Sequence, residues 1–173
     1  MPEFVDPKQV LSQVGLRADM AAADFGCGSG GWVIPLASML EDGIVYAVDI
    51  QENPLSALQG RAKMQGLSNI RTVLGNVESK ITAIQDESCD FVLISDLLFQ
   101  VDEHDSIFAE AARVLKPKGI VLIVEWNVDS PLGPKQDKMS PEQTFQIAQR
   151  FHFKKIKEFK AGDYHFAMLL TKG

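Results

Sequence analysis

Apolar and polar positions along this chain switch repeatedly between two periods. Short apolar runs at 20–25, 44–50, 70–74, 89–95 and 120–126 are separated by stretches in which apolar residues recur at helical spacing. The first run is preceded by a complete short helix: Asp6 as N-cap, Pro7 at the first helical position, Val10, Leu11 and Val14 on one face, and Gly15 as the stop. A helix over 32–40 follows the first strand, with Pro35 near its first turn, where a missing amide does least harm. The next helix is predicted to start at Asn53-Pro54, to pack through Leu55, Leu58, Ala62 and Met64, and to end at Gly66. After the third strand comes a weakly amphipathic connection at 78–85. A further helix starts at Asp102 or Glu103, carries Ile107, Phe108, Ala111, Val114 and Leu115, and is broken by Lys116-Pro117-Lys118-Gly119.

Strands alternating with helices require a parallel sheet covered on both faces, so the fold class is α/β, a doubly wound Rossmann-like sheet. The pattern changes after the fifth strand. Residues 127–139 contain Pro131, Gly133 and Pro134 and show no periodicity, and then Ser140-Pro141-Glu142-Gln143 writes a capping box that opens one more helix. Two strands, 153–159 and 164–171, close the chain as a hairpin around Ala161-Gly162-Asp163. This makes seven strands with an antiparallel one at the C-terminal end. The chain reads as a single domain over 1–173, with 1–19 as a helical cap and 127–150, loop and helix, as a candidate substrate lid.

Composition narrows the class of function. A formal net charge of −6 disfavours nucleic acid as the main partner. The lysines at 154, 155, 157 and 160 alternate with Phe153, Ile156 and Phe159, as on the polar face of a strand. Two cysteines, Cys27 and Cys89, make neither a disulfide framework nor a zinc site, so no metal is expected and a reducing compartment is the default. No apolar run approaches the roughly 20 residues of a membrane span, and the acidic start MPEFVD is unlike a secretory signal. The expectation is a cytoplasmic protein without membrane insertion.

The first strand ends in Asp24-Phe25-Gly26-Cys27-Gly28-Ser29-Gly30-Gly31. Four glycines in six residues, with Gly26, Gly28 and Gly31 at GxGxxG spacing, permit a tight turn and close backbone approach to a ligand. Asp49 lies 18 positions after Gly31, a spacing that suits an acid on the ribose hydroxyls of a bound nucleotide. A dinucleotide survives that test, but Asp24 would repel its pyrophosphate, whereas a carboxylate there favours a ligand carrying an ammonium group.

With these motifs in hand, the chain resembles the class I S-adenosylmethionine-dependent methyltransferases. The resemblance is carried by DFGCGSGG at 24–31, VYAVDI at 45–50, GNVE at 75–78, CDFVLISDLLFQV at 89–101 and RVLKPKGIVLIVEW at 113–126. It implies S-adenosylmethionine as cofactor. It also implies that Asp24 meets the methionine ammonium, directly or through water, that Gly26, Cys27, Gly28 and Gly30 lay backbone along the ligand, and that Asp49 accepts both ribose hydroxyls. Ile50 would lie on the adenine face, Asn76 and the Val77 amide would bind the ring edge, and the Ser95 carbonyl would accept from the ammonium. Asn76 stands where the family often has Asp, and LKPKG where LKPGG is commoner.

At the acceptor side Asp96 reads either as a general base or as the N-cap of a turn, and Glu125 and Trp126 read either as pocket wall or as core. Cys27 reads as a packing residue rather than a nucleophile, and His104, His152 and His165 read as solvated. The activated donor needs mainly to be held in line with the acceptor, so no catalytic residue is assigned. SDLL at the end of strand four differs from the NPPY or DPPY run of amino-methylating enzymes, which disfavours adenine and glutamine as substrates. Segment four with the LKP turn most resembles small-molecule methyltransferases of the quinone or arsenite-modifying type, so the resemblance implies a small-molecule acceptor. The alternatives are an NAD(P)-dependent oxidoreductase and a non-catalytic S-adenosylmethionine-binding protein.

Overall fold

A computed structural model describes residues 1–173. Its elements, in chain order, are α1 (Pro7–Leu11), β1 (Ala21–Phe25), α2 (Val33–Met39), β2 (Ile44–Asp49), α3 (Glu52–Met64), β3 (Ile70–Leu74), β4 (Cys89–Ser95), α4 (His104–Val114), β5 (Leu115–Trp126), α5 (Pro141–Arg150), β6 (Phe153–Ala161) and β7 (His165–Lys172). A short 3-10 turn, Leu98–Gln100, follows β4. The seven strands form one sheet in the order β3-β2-β1-β4-β5-β7-β6. Strand β7 is antiparallel to both β5 and β6, and the other adjacent pairs are parallel. The expected doubly wound sheet and terminal hairpin are both present.

Alternating residues of the central strands feed two separate apolar layers. Ala22, Phe91, Leu93, Leu122 and Val124 face one side and pack against α1, α2 and α3. Ala23, Val92, Ile94, Val121 and Ile123 face the other and pack against α4 and α5. Each fully buried aliphatic side chain contributes roughly 1.5–3 kcal/mol, and with both faces covered the central strands read as unbroken apolar runs. No helix is long and apolar enough to cross a membrane.

Local signals explain most element ends. The Asp6 side chain accepts from the amides of Lys8 and Gln9, and Ser140 and Gln143 form the expected reciprocal capping box. Several expectations are corrected, the first being the end of α1, which stops at Leu11 with Ser12 as its cap, so Val14 and Gly15 lie beyond it. Helix α3 begins at Glu52 behind Gln51, so Asn53 and Pro54 lie inside its first turn, and Met64 is solvent-exposed rather than packed. Leu115 belongs to β5 and not to the preceding helix. Cys89 pairs with Leu115 but Phe91 with Ile120, so Lys116–Gly119 bulges out of a strand that has already begun. Lys118, at φ +64°, takes the turn of that bulge. The connection at 78–85 contains no helix and is held by α4 instead. Arg113 donates to the carbonyls of Ile81 and Ile84, while Glu110 accepts from the Ile81 amide.

The edge strand β6 exposes its lysines, as expected, and long charged side chains on an edge discourage pairing with another chain. The N-terminal segment is tied to the hairpin turn: the Glu3 amide donates to Asp163 Oδ2 and the Asp163 amide to the Glu3 carbonyl, each at 2.7 Å.

Candidate functional site

The carboxyl ends of β1, β2, β4 and β5 gather at one edge of the sheet, and a cleft of about 330 Å³ opens there. Six residues singled out in the sequence line it: Gly26, Gly28, Asp49, Ile50, Asn76 and Val77. The glycine loop is built on β2. The amides of Gly26 and Cys27 both donate to the Val48 carbonyl at 2.9 Å, which turns the chain sharply after Phe25. Gly26, Gly28 and Gly30 all have positive φ. A Cβ on Gly26 would lie 2.9 Å from Leu97 and one on Gly30 2.3 Å from Leu58, whereas one on Gly28 would meet nothing and would enter the cleft.

Asp49, at the end of β2, is the acid of this cleft. Its Oδ2 accepts from the Gly28 amide at 2.8 Å and its Oδ1 from the Gln51 amide at 2.9 Å. Each oxygen keeps a further acceptor site. Ile50 exposes 65% of its surface beside it, a large apolar side chain left open in the cleft wall. On the facing side the Asn76 Oδ1 accepts from the Glu78 amide at 2.9 Å, and the Val77 amide has no protein acceptor.

Asp24 lies beneath the loop, wholly buried, and neither of its oxygens has a hydrogen-bond partner. Burial, followed by the negative charge of Asp49, pushes its carboxyl up to about 8. A buried carboxyl with no donor is costly to keep. Cys27 is buried, its thiol directed to the Gly28 carbonyl, and burial raises its pKa well above the ordinary thiol value. That is a packing residue, not a nucleophile.

Asp24, Cys27, Gly30, Ser95, Asp96, Glu125 and Trp126 do not line the cleft itself. Ser95 ends β4 and is buried. Glu125 is also buried, and its Oε1 accepts from the amides of Leu97 and Leu98 at 2.8 and 2.9 Å. Burial raises its carboxyl to about 8 against the opposing pull of those two hydrogen bonds. Glu125 therefore ties down the turn after β4. Trp126 is half-buried, its ring 4.1 Å from that of His165, and a Cβ on Gly133 would lie 2.4 Å from it. The 127–139 loop thus packs on Trp126.

Two of the three histidines differ from expectation. His165 is only 3% exposed, with Nε2 at 3.0 Å from Asp96 Oδ1. His104 is half-buried, with Nε2 at 2.7 Å from the Leu98 carbonyl. Only His152 is exposed. The sequence reading also missed Leu97, Gln100 and Val101, which wall the cleft from the turn after β4. Nothing in their spacing distinguishes wall from core until the turn is folded. A second, larger hollow of about 620 Å³, between 137–139 and α5, includes His104, Lys138 and Arg150 and shares no residue with the cleft. No group of His, Cys, Asp and Glu could hold a metal ion.

Comparison with known proteins agrees with this geometry. The profile of a methyltransferase domain family matches residues 23–123. The chain is 31% identical over 130 residues to the demethylmenaquinone methyltransferase of Geobacillus stearothermophilus, covering 75% of this chain and 55% of that protein. It is 34% identical over 119 residues to that of Staphylococcus aureus MRSA252, covering 68% and 48%. It therefore spans about half the length of these curated relatives. Among solved structures, a SAM-dependent methyltransferase from Aquifex aeolicus superimposes with a TM-score of 0.90 at 26% identity, over 98% of this chain and 91% of that one. The cyclase SpnF shares the fold, with a TM-score of 0.83 at 16% identity over 96% of this chain and 79% of its own, so the fold alone does not name a reaction.

Proposed function

Because the chain belongs to the methyltransferase domain family, we propose that it transfers a methyl group from S-adenosylmethionine to a small-molecule acceptor by in-line displacement. The observation that carries this reading is Asp24. A wholly buried, unpartnered carboxyl below a glycine loop suits the ammonium group of a methionine, which would stabilise its ionised form.

S-adenosylmethionine supplies a methyl group already activated by the positive charge on its sulfur. The chain's residues bind and orient it. Asp49 accepts the two ribose hydroxyls on the acceptor sites that Gly28 and Gln51 leave free. Gly28 leaves the space a side chain would fill, with Gly26, Cys27 and Gly30 shaping the loop around it. Ile50 covers one face of the adenine. The Asn76 amide oxygen and the free Val77 amide take its edge, and the Ser95 carbonyl accepts from the ammonium together with Asp24. Trp126 and the 127–139 loop lie on the acceptor side, where holding the acceptor in line is worth roughly 7 to 11 kcal/mol.

The acceptor we infer is a small quinol-type aromatic, supported by the named substrate of the curated relatives and by the aromatic wall at Trp126. The nicotinamide alternative is not favoured, since β7 enters the sheet antiparallel between β5 and β6 and the loop sits over Asp24. A binding protein without turnover is not favoured either, since the named relatives are methyltransferases.

The test is calorimetric titration with S-adenosylhomocysteine and, separately, NADH, followed by assay of S-adenosylhomocysteine formation from S-adenosylmethionine and reduced demethylmenaquinone. Micromolar binding of the first ligand only, then turnover, is the expected result. Binding of NADH alone would reassign Asp49 to a dinucleotide ribose.

A further inference from the structure

We propose that Asp96 is the general base of the acceptor site and that His165 positions it, so that the acceptor is a molecule whose hydroxyl must lose its proton to be methylated. This rests on the methyl-transfer reading above and deepens it by naming the class of acceptor.

Asp96 is the residue immediately after β4, and its φ of +47° puts a non-glycine residue in the left-handed region. Such a conformation costs roughly 1–2 kcal/mol and persists only where its surroundings impose it. They do so here from several sides. The Asp96 amide donates to the Val124 carbonyl at 2.9 Å, and Gln100 Nε2 donates to the Asp96 carbonyl. The next two amides are fixed on buried Glu125. The N-cap alternative fails: the 3-10 turn that follows begins behind Leu97 and receives no side-chain cap. The Asp96 carboxylate turns instead toward His165, 69 positions away on β7.

His165 gives Asp96 one defined orientation. A ring nitrogen 3.0 Å from a carboxylate oxygen is a donor, so Nε2 carries a proton. Nδ1 is buried and has no partner. Leaving a polar atom so costs about 1–3 kcal/mol, an expense an apolar side chain in this place would avoid. The ring is locked by Trp126, 4.1 Å away, which is itself held under Gly133. Asp96 thus has one oxygen fixed by a buried imidazole, while Oδ2 bonds to no protein group and the side chain is 39% exposed. Leu97, the next residue, already walls the cofactor cleft. The ionisable groups that face Asp96 are His165 from β7 and Glu125 from β5, and Glu125 is committed to two backbone amides. An oriented carboxylate beside a nucleotide-binding cleft has the geometry of a base with its orienting partner.

In the step this implies, the acceptor hydroxyl proton passes to Asp96 Oδ2. The electron pair left on the acceptor oxygen forms the bond to the methyl carbon as the carbon–sulfur bond breaks, and that bond's pair stays on sulfur; where the bond forms instead at the ring carbon beside that oxygen, the ring proton leaves to solvent and its pair restores the aromatic ring. The proton on Asp96 is then lost to solvent at the exposed oxygen.

The test uses two probes with the full chain and S-adenosylmethionine: 1,4-naphthohydroquinone, protonated at pH 7, and 4-nitro-1-naphthol at a pH where it is already ionised. Asp96→Asn is expected to lower kcat on the first about 100-fold or more, with KM and the affinity for S-adenosylhomocysteine within threefold. On the ionised probe the variant and wild type are expected to be nearly equal. His165→Leu is expected to lower kcat on the hydroquinone about tenfold, and His165→Gln, which offers an amide donor to Asp96, to restore most of it.

Independently of turnover, NMR of protein labelled with ¹⁵N-histidine is expected to show His165 protonated at Nε2. The proposal is overturned by the opposite tautomer, by an Asp96→Asn variant that keeps a third or more of its kcat on the hydroquinone, or by equal losses on both probes. A wild-type protein that binds S-adenosylhomocysteine but methylates neither probe overturns the hydroxyl-acceptor class. Failure to bind S-adenosylhomocysteine at all overturns the methyl-transfer reading instead.

Discussion

Asp49 and Gly28 are joined by a hydrogen bond of 2.8 Å from the loop amide to the carboxylate, so the acid at the end of β2 holds the glycine loop open over its own cleft. The same carboxylate receives the Gln51 amide. Pocket and loop are therefore one unit, although 21 residues separate them in the chain.

Substituting Asp49 tests that unit. Asp49→Ala removes two hydrogen bonds to a charged acceptor and the two proposed ribose contacts, and such bonds are worth about 1.5–3 kcal/mol each. Calorimetry is expected to show S-adenosylhomocysteine affinity reduced about 100-fold or more. Asp49→Asn, which keeps one acceptor oxygen, should fall between. An unchanged affinity in Asp49→Ala would place the ribose elsewhere.

Asp24 sets stability and cofactor binding against each other. Its carboxyl titrates near 3.8 when unfolded and is raised to about 8 in the folded chain by burial, then by Asp49. Between those values the folded state holds a proton that the unfolded state has lost, so this group makes stability fall as pH rises from about 4 to 8. Asp24→Asn keeps the neutral shape and abolishes the fall. Urea unfolding is expected to show the variant more stable than wild type by about 2 kcal/mol or more at pH 8, with little difference at pH 4. The ammonium of the cofactor favours the ionised form, so binding at pH 7 is expected to release a proton and to tighten from pH 6 to 8. Titration heats at pH 7 that do not vary with the ionisation enthalpy of the buffer would contradict that coupling.

The loop's contact with Trp126 gives a third prediction. Gly133 has φ +82°, and a Cβ there would fall 2.4 to 2.7 Å from three atoms of the indole ring. A rigid ring cannot yield as a flexible side chain would, so Gly133→Ala must move the loop, at a cost of about 1–3 kcal/mol. No residue of 127–139 lines the cofactor cleft. S-adenosylhomocysteine affinity is therefore expected to stay within twofold, while kcat/KM for the acceptor drops about tenfold. Equal losses in both would mean that the loop serves the cofactor.

The parts of this molecule that were legible in its sequence are those written by local physics. Asp6 and Ser140 announce helix starts through their own side-chain hydrogen bonds, and the apolar runs of β4 and β5 announce strands covered on both faces. Gly26, Gly28 and Asp49 were legible because a tight turn and an acid at a set spacing are chain-local features. Lys116–Gly119 misled because a turn signal cannot tell a break between elements from a bulge within one, and the pairing of Cys89 with Leu115 decides that. His165 misled for the opposite reason. The hairpin that carries it was foreseen, but only the place of β7 between β5 and β6 brings it against Trp126 and Asp96.

Arg113 joins two distant parts of the chain. Its side chain is 17% exposed, pairs with Glu110 and Asp86, and donates to the carbonyls of Ile81 at 3.1 Å and Ile84 at 3.0 Å. It thereby fastens 81–86 to α4. Asp86 is solvent-exposed and its ion pair is screened, so Asp86→Asn is expected to leave the unfolding midpoint nearly unchanged. Arg113→Leu is different, because it strands the Glu110 carboxylate, 6% exposed, with only the Ile81 amide as partner. Removing one member of a buried pair costs about 3 kcal/mol. Adding Glu110→Gln keeps an acceptor for that amide and removes the stranded charge, so the double variant is expected to be more stable than Arg113→Leu alone. If urea unfolding shows the two losses adding, the cost lies in the carbonyl contacts of Arg113 and not in the stranded carboxylate.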